Sequence, residues 1–389
     1  MIPLYYKNQE DKGLNITGYE AICNLGNNID EIYKKAICGD STCFDKLNGY
    51  ITDNYIRVGL IKSDLPPISS NDFNIRCNQL LLKMVDLIEN KISKLKETYS
   101  KERIGVVVAT TNSGVEEYEK SQKQKHSELG NPAYFLRQQL ALNGFYSTVS
   151  TACSSGLKAF IAARNLIDNG IVDAAIVGCV DSLAKIPIYG FSSLEVLYDK
   201  TSVPLSKNRS GMNIGEACSI FTVEKNDRKG IKIMGLGDSS DVHHSTTPDP
   251  EAKEAIRAIQ QALSEAKITP VDVDYINLHG TGTVANDIME AKAIYEIFSD
   301  KTPVSSTKPL TGHCLGAAAG IETALCCKLL DNFEGKLYPH IYDSQYDISL
   351  PKLNIVNKNQ EYGKCKICMC NSFGFGGANA IMVIGKENE

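Results

Sequence analysis

Residues 148–158 read TVSTACSSGLK. Within this one stretch the pattern changes period. Residues 146–152 end a β-branched segment that reads as a strand, and from about 155 to 169 apolar residues recur at helical spacing. Cys153, Ser154, Ser155 and Gly156 form the turn between them. A strand that passes through a tight turn directly into a helix is the unit from which α/β proteins are built. The same unit recurs on both sides of it. Towards the N-terminus, residues 75–98 have helical spacing, and IGVVVA at 104–109 is too short and too apolar for anything but a buried strand. Towards the C-terminus, strands are expected at 173–179, 217–224, 231–238, 274–278, 366–371 and 380–384, and helices at 250–266, 286–298 and 315–330. The strands are apolar throughout, so both faces of the sheet must be covered, which makes the chain α/β.

Three stretches read less clearly. Residues 41–71, with Pro66 and Pro67, are expected to be irregular or partly helical. Residues 115–140 read as partly helical with a break at 130–132, and 186–214 as a long polar connection. There is also a weak internal echo. VSTACSSGLKAFIAARNLIDN at 149–169 and VSSTKPLTGHCLGAAAGIETALCCKLLDN at 304–332 both run strand, turn, small-residue helix.

Composition narrows the class. The 389 residues suffice for one large core or two modest ones. A net charge of −5 argues against a general nucleic-acid-binding surface. No apolar run approaches the roughly 18–20 residues that span a bilayer, so no membrane insertion is expected. The opening MIPLYYKNQEDKGLN has neither a basic nor an apolar leader region, and a cytoplasmic location is the expectation. The 13 cysteines are odd in number and irregularly spaced, which favours reduced thiols over a disulfide framework. Cys365, Cys368 and Cys370 lack a second ligand pair for a metal and read as a buried strand, so no metal is expected.

Local setting singles out four features. Cys153 lies at the start of a helix, where unpaired N–H groups and the helix dipole favour a thiolate and lower the thiol pKa. Its small neighbours leave room for a substrate. The residues alone leave it as either a nucleophile or an inert buried thiol. His279 opens HGTGT at a strand end, and His313 sits in TKPLTGHCLGAAAG before a small-residue helix. A helix N-terminus disfavours imidazolium, so neutral rings are expected. His126, His243 and His244 read as surface residues, and His340 has no assigned role. The fourth feature is NSFGFGGANA at 371–380, where three glycines allow close backbone approach and an N–H aimed at a developing oxyanion, or simply a tight turn. It is neither a phosphate loop nor a dinucleotide fingerprint. Cysteine with histidine points to acyl transfer or peptide hydrolysis.

In order, TACSSG, HGTGT, STKPLTGHCLGAAAGIE and NSFGFGGAN resemble the motifs of the β-ketoacyl-acyl carrier protein synthases of type I/II, and the resemblance covers nearly the whole chain. Gly215-Glu216-Ala217 and GDSSDVHHSTTPDPE at 237–251 are similar to the family as well. The resemblance implies a thiolase fold, a five-layer α-β-α-β-α sandwich of two pseudo-repeated halves. The first half, 1–229, would carry the nucleophile, and the second, 230–389, the two histidines. It implies acyl transfer from acyl carrier protein to Cys153. His279 and His313 would then drive decarboxylation of a malonyl thioester, whose carbanion attacks the acyl group. Lys308 and Glu322 would support the histidines. The N–H groups of Cys153 and Phe375 would form the oxyanion hole. Phe375, within Gly374, Gly376 and Gly377, would gate the site.

The resemblance further implies no cofactor beyond the phosphopantetheine arm of the carrier protein. It implies a homodimer, or a heterodimer with a related ketosynthase or chain-length-factor subunit. Carrier docking would draw on basic residues such as Lys62, Arg76, Lys83, Lys120, Lys123, Lys125 and Arg209. One departure is PLSKNRSGMNIGE at 204–216, which lacks the usual acidic residues around an arginine and is similar to synthases of aryl-polyene and related polyketide clusters. The competing readings are a non-catalytic chain-length-factor-like subunit, an enzyme active only beside such a subunit, a cysteine hydrolase, and a thiolase or type III synthase. HGTGT and GHCLGAAAG favour the elongating synthase.

Overall fold

In the computed structural model, residues 13–51, 54–225 and 230–386 are described. The opening residues read above for a leader lie outside them up to residue 12, as does residue 229 at the expected boundary between the halves.

Among the described residues, ten strands form two five-stranded sheets that join edge to edge, and the short strand Asn354–Ile355 adds to the outer edge of the second beside Pro303–Ser305. The first half supplies β1 (Leu14–Cys23), β2 (Ile104–Ala109), β3 (Tyr146–Val149), β4 (Ala174–Asp181) and β5 (Ala217–Lys225). The second supplies β6 (Ile231–Ser240), β7 (Tyr275–Asn277), β8 (Pro303–Ser305), β9 (Ile367–Phe373) and β10 (Ala378–Gly385). The spatial orders are β1-β5-β4-β2-β3 and β6-β10-β9-β7-β8. Numbered within its own half, each sheet reads 1-5-4-2-3. The strand senses match too. The first two junctions are antiparallel and the last two parallel in both halves. Generic βα repetition does not produce an identical non-sequential order with identical senses, so the sequence echo marks a structural repeat. The sheets touch where Asn15 and Ile16 of β1 pair with Lys232 and Ile231 of β6.

Six of the helices in the described residues form the layers: α1 (Arg76–Leu87), α2 (Asn131–Gln139), α3 (Ser155–Asp168), α4 (Lys253–Ala266), α5 (Val284–Phe298) and α6 (Ala318–Asp331). One apolar cluster joins α1 and α2 to the outer face of the first sheet, and another joins α4 and α5 to the outer face of the second. The largest cluster lies between the sheets around α3 and α6. The result is the five-layer sandwich. α6 is buried almost all round, as a helix between two sheets must be. That explains its alanines and glycines. A Cβ on Gly320 would come within 2.5 Å of the Cys179 Cβ, and one on Gly156 within 2.9 Å of the Gly320 amide nitrogen. Gly156 lets α3 and α6 approach closely enough for the first residues of both helices to share one site, and Gly320 lets α6 lie close against the first sheet.

Several expectations need correction. Residues 41–71 contain a hairpin, Asp45–Ile51 with Asn54–Gly59, whose second strand also pairs with Ile214–Gly215. Ile56 and Val58 point inward there, an alternation obscured in sequence by Asn48, Gly49 and the prolines further on. The helix expected over 75–98 breaks at Ile88, which has non-helical φ/ψ of −113° and 20°. The cysteine reading holds: Cys365, Cys368 and Cys370 are buried around the start of β9 and along it, and all thirteen cysteines are unbridged.

Candidate active site

Cys153 stands where β3 turns into α3. Ala152 just before it has φ of +52°, a costly value for a residue with a Cβ. The hydroxyl residues hold that turn in place. Ser155 Oγ donates to Ala152 O at 2.6 Å and accepts from Thr151 N at 2.8 Å. Ser154 Oγ donates to Thr151 O at 2.8 Å, and Ser372 Oγ of β9 donates to Cys153 O at 2.8 Å. The serines of TACSSG are therefore braces, and the thiol alone faces the site.

The two histidines arrive from the other half. His313 Nε2 lies 3.0 Å from Cys153 Sγ, and its Nδ1 accepts from Leu315 N at 3.3 Å. His279 Nδ1 lies 3.2 Å from Lys308 Nζ, which also donates to Glu322 Oε1 at 2.5 Å. The rings meet edge to face with centroids 5.3 Å apart. On this hydrogen-bond network both Nδ1 atoms are acceptors, so both Nε2 atoms carry hydrogen. Burial, with the nearby Lys308 charge, holds both rings well below the usual imidazole pKa, and both are neutral. The expectation of neutral imidazoles stands, with burial as its first cause.

The expectation of a ready thiolate does not. Burial pushes the Cys153 thiol up to about 11, although the Lys308 charge and the amides of Phe375 and Cys153 pull it down. The helix begins two residues after Cys153, and its terminal field is outweighed by desolvation. Alkylation of Cys153 by iodoacetamide, followed by peptide mass mapping, is accordingly expected to speed up about tenfold per pH unit from roughly pH 6 to pH 9. A rate plateau below neutral pH would show a preformed thiolate instead.

The glycine loop closes the site. Gly376 and Gly377 both have φ of +80°, and a Cβ on Gly377 would lie 1.8 Å from Asp241 O. Asp241 N donates to Gly377 O and Gly376 N to Ser245 O, each at 2.8 Å, so the loop is laced to residues 241–245. Phe375 packs on Phe191 with centroids 5.7 Å apart. Two cavities meet at this point. One of about 310 Å³ is lined by Cys153, His279, His313, Thr281, Thr283 and Phe375. The other, about 490 Å³, is lined by Cys153, Thr111, Asn112, Phe191, Leu315 and Phe375. Cys153 and Phe375 border both.

The structure thus brings Cys153, His279, His313, Lys308, Glu322, Phe375 and its glycines to one place. His244 is exposed, as expected, and borders the first cavity as well. Other readings change. His126 is buried, with Nε2 2.8 Å from Asn71 O. His340 is buried between Ser306 N and Pro204 O, and burial pushes it down to about 4. Arg76 is committed to the buried Glu216 at 2.6 Å, and Arg209 is buried against Asp347 at 2.6 Å, so neither is a docking residue. Lys62, Lys120, Lys123 and Lys125 pair with Asp45, Glu117, Asp72 and Glu128, and Lys83 bonds Ser63 and Asp64.

Sequence reading missed Glu290. Its two oxygens accept from His279 N and Gly280 N, each at 2.7 Å, and so orient the HGTGT turn. An acidic pair at i, i+3 in the helix following that turn, Asp287 and Glu290, was the available signal. As for metals, ligand atoms of Cys153, His279 and His313 lie within 4.8 Å of one another. Hydrogen-bearing Nε2 atoms do not ligate, so this network suits proton donation and not a metal. Buried acceptors without a hydrogen-bond partner occur at Asn277 Oδ1, Asn371 Oδ1 and Glu322 Oε2, oxygen donors of the kind a hard cation takes.

Two repeated halves, packed as five layers with a thiol and two histidines at their junction, define a thiolase-fold condensing enzyme. Residues 75–229 match the beta-ketoacyl synthase N-terminal domain, and 231–340 match the C-terminal domain. A 3-oxoacyl-acyl-carrier-protein synthase 2 of Coxiella burnetii is 30% identical over 97% of this chain and 99% of that protein. The synthase of that name from Staphylococcus aureus is 27% identical, with the same shares covered. Among solved structures, a chain of the Xenorhabdus doucetiae ketosynthase ApeO in complex with its chain length factor ApeC superposes with a TM-score of 0.92. It is 35% identical, with 98% of this chain and 100% of that one covered. The chain belongs to the β-ketoacyl synthase family.

Proposed function

We propose that this ketosynthase extends an acyl chain by two carbons through decarboxylative Claisen condensation. Cys153 gives up its proton and takes the acyl group from a carrier-protein thioester, and the carrier thiol leaves protonated. A malonyl thioester then enters the first cavity. Loss of CO₂ places negative charge on the thioester oxygen, and Nε2–H of His279 and of His313 donate to it. The enolate carbon attacks the acyl-Cys153 carbonyl, whose oxyanion the amides of Cys153 and Phe375 receive. Collapse releases the β-ketoacyl carrier and the Cys153 sulfur. The observation that carries this reading is the pair of buried rings beside one thiol, each with a donor at Nδ1, which leaves hydrogen on Nε2. A hydrolase has no use for the second ring.

Lys308 and Glu322 set the His279 tautomer. Phe375, flanked by Gly374, Gly376 and Gly377, gates passage between the two cavities. The division into a nucleophile half, 1–229, and a histidine half, 230–389, belongs to the same reading. No cofactor is required beyond the phosphopantetheine arm of an acyl carrier protein. We place the enzyme in the cytoplasm; among the described residues no helix is long and apolar enough to cross a membrane.

A second reading is that the chain works only beside a chain-length-factor-like subunit, or as the non-catalytic member of such a pair. The second cavity favours the paired form, because its rim residues Ile186 and Leu194 are 58% and 43% exposed and lack a cover. With the ApeO–ApeC likeness, this supports a heterodimer, and the resemblance of residues 204–216 supports an aryl-polyene type of pathway. Intact mass after incubation with saturated and polyunsaturated acyl carrier proteins tests both readings. Acyl addition to the lone chain supports the stand-alone synthase, whereas addition only with a co-purified partner supports the pair. No addition in either case rejects catalysis.

A further inference from the structure

The two turns that enter α3 and α6 are held crosswise. Ser372, near the end of β9 in the second half, bonds Cys153 O in the first half's turn. The counterpart is Asp181, the last residue of β4 in the first half. Its Oδ2 accepts from Gly316 N, in the second half's turn, at 2.7 Å. The turns match in detail. Ala152 before Cys153 and Leu315 before Gly316 both have φ of +52°. Gly316 therefore occupies in one turn the place that Cys153 occupies in the other.

Asp181 is fully buried, has no ion-pair partner among the described residues, and is the hub of a donor set. Thr110 Oγ1 donates to Oδ1 at 2.7 Å, Thr111 Oγ1 to Oδ2 at 2.6 Å, and Thr111 N and Asn112 N to Oδ1 at 2.9 and 3.1 Å. Burying a carboxylate is unfavourable unless such bonds compensate it. A role in packing alone could be met by an apolar side chain. What the carboxylate does instead is join two functional pieces. Thr111 and Asn112 line the second cavity, and Leu315 N is the donor that makes His313 Nδ1 an acceptor. The spacing leaves no slack, since a Cβ on Gly316 would meet Asp181 Oδ2 at 2.8 Å and Thr111 N at 3.1 Å.

We propose that Asp181 is a positioning residue for condensation: by holding Gly316 N it fixes the strained Leu315 and, through the Leu315 N–H, keeps hydrogen on His313 Nε2, while anchoring the Thr111–Asn112 wall of the second cavity. The inference rests on the condensing role given above to His313. Asp181→Asn keeps the shape but replaces one acceptor oxygen with an NH₂ that must face a donor. The variant is expected to lose tenfold or more in malonyl-carrier decarboxylation, measured as CO₂ release, with little change in KM. Acyl loading of Cys153 should persist, because the Cys153 turn is held by serines. Nitrogen NMR of the His313 ring should show hydrogen distributed over both nitrogens instead of on Nε2. If Asp181→Asn does not fold, Gly316→Ala carries the test with the same expected split. Wild-type CO₂ release from either folded variant, or an unchanged His313 ring spectrum, overturns the proposal. Absence of CO₂ release from the wild-type enzyme overturns the condensing role itself, so the two failures are distinct.

Discussion

Cys153→Ala is expected to abolish acyl loading and to cut condensation by at least about 10³-fold, while malonyl decarboxylation survives. The two half-reactions use different atoms. In the proposed mechanism loading and attack need Cys153 Sγ. Decarboxylation there needs an oxygen placed between the His279 and His313 Nε2 atoms, and the variant leaves both rings and their donors in place. The His313 Nε2–H that faces the sulfur at 3.0 Å is released to the substrate. The fold should be nearly unaffected, because Cys153 is one small side chain on a turn that Ser154, Ser155 and Ser372 hold through its backbone. Intact mass for loading, CO₂ release for decarboxylation and product analysis for condensation separate the three readouts. Loss of all three together in a folded variant would show that the thiol also holds the histidines, and would remove the division of labour proposed here.

Much of this site could be read from the chain, and the reasons are local. The strand-to-helix switch around Cys153 and the apolar runs of β2 and β4 carry their periods within a few residues. His279, His313 and the glycine loop sit at strand ends or helix starts, where side chains reach a shared edge. What could not be read depends on partners far away in sequence. Glu290 matters because its helix folds back under the HGTGT turn. Asp181 matters because a strand of one half ends against a turn of the other. Arg76 and Arg209 look like docking charges until Glu216 and Asp347 are brought to them. The Cys153 thiol fails in the same way: a helix start can be read locally, but the depth of burial that pushes its pKa up to about 11 cannot.

Lys308→Met should cost both stability and catalysis, and its pairing with Glu322 lets the two be separated. Lys308 and Glu322 are almost fully buried, and breaking such a pair from one side costs about 3–5 kcal/mol because the remaining charge is uncompensated. Burial already pushes Glu322 up to about 7 in the wild-type protein. Without the ammonium it rises further. A carboxyl with a raised folded pKa holds a proton that the unfolded chain has released, so its contribution to stability is lost as pH rises through that folded pKa. In the variant this loss continues above pH 7, where the wild-type contribution has levelled off. The difference in unfolding free energy between variant and wild type should therefore widen on the alkaline side of neutrality, as denaturant titrations at several pH values would show. The double variant Lys308→Met/Glu322→Leu removes both charges and should regain most of the stability. It should not regain decarboxylation, expected to stay at least about 10²-fold down, because His279 Nδ1 has lost the donor that keeps hydrogen on Nε2. Recovery of activity together with stability would make the pair a packing device. Recovery of stability alone assigns Lys308 to the chemistry and leaves Glu322 the task of keeping that ammonium buried, 3.2 Å from the ring it orients.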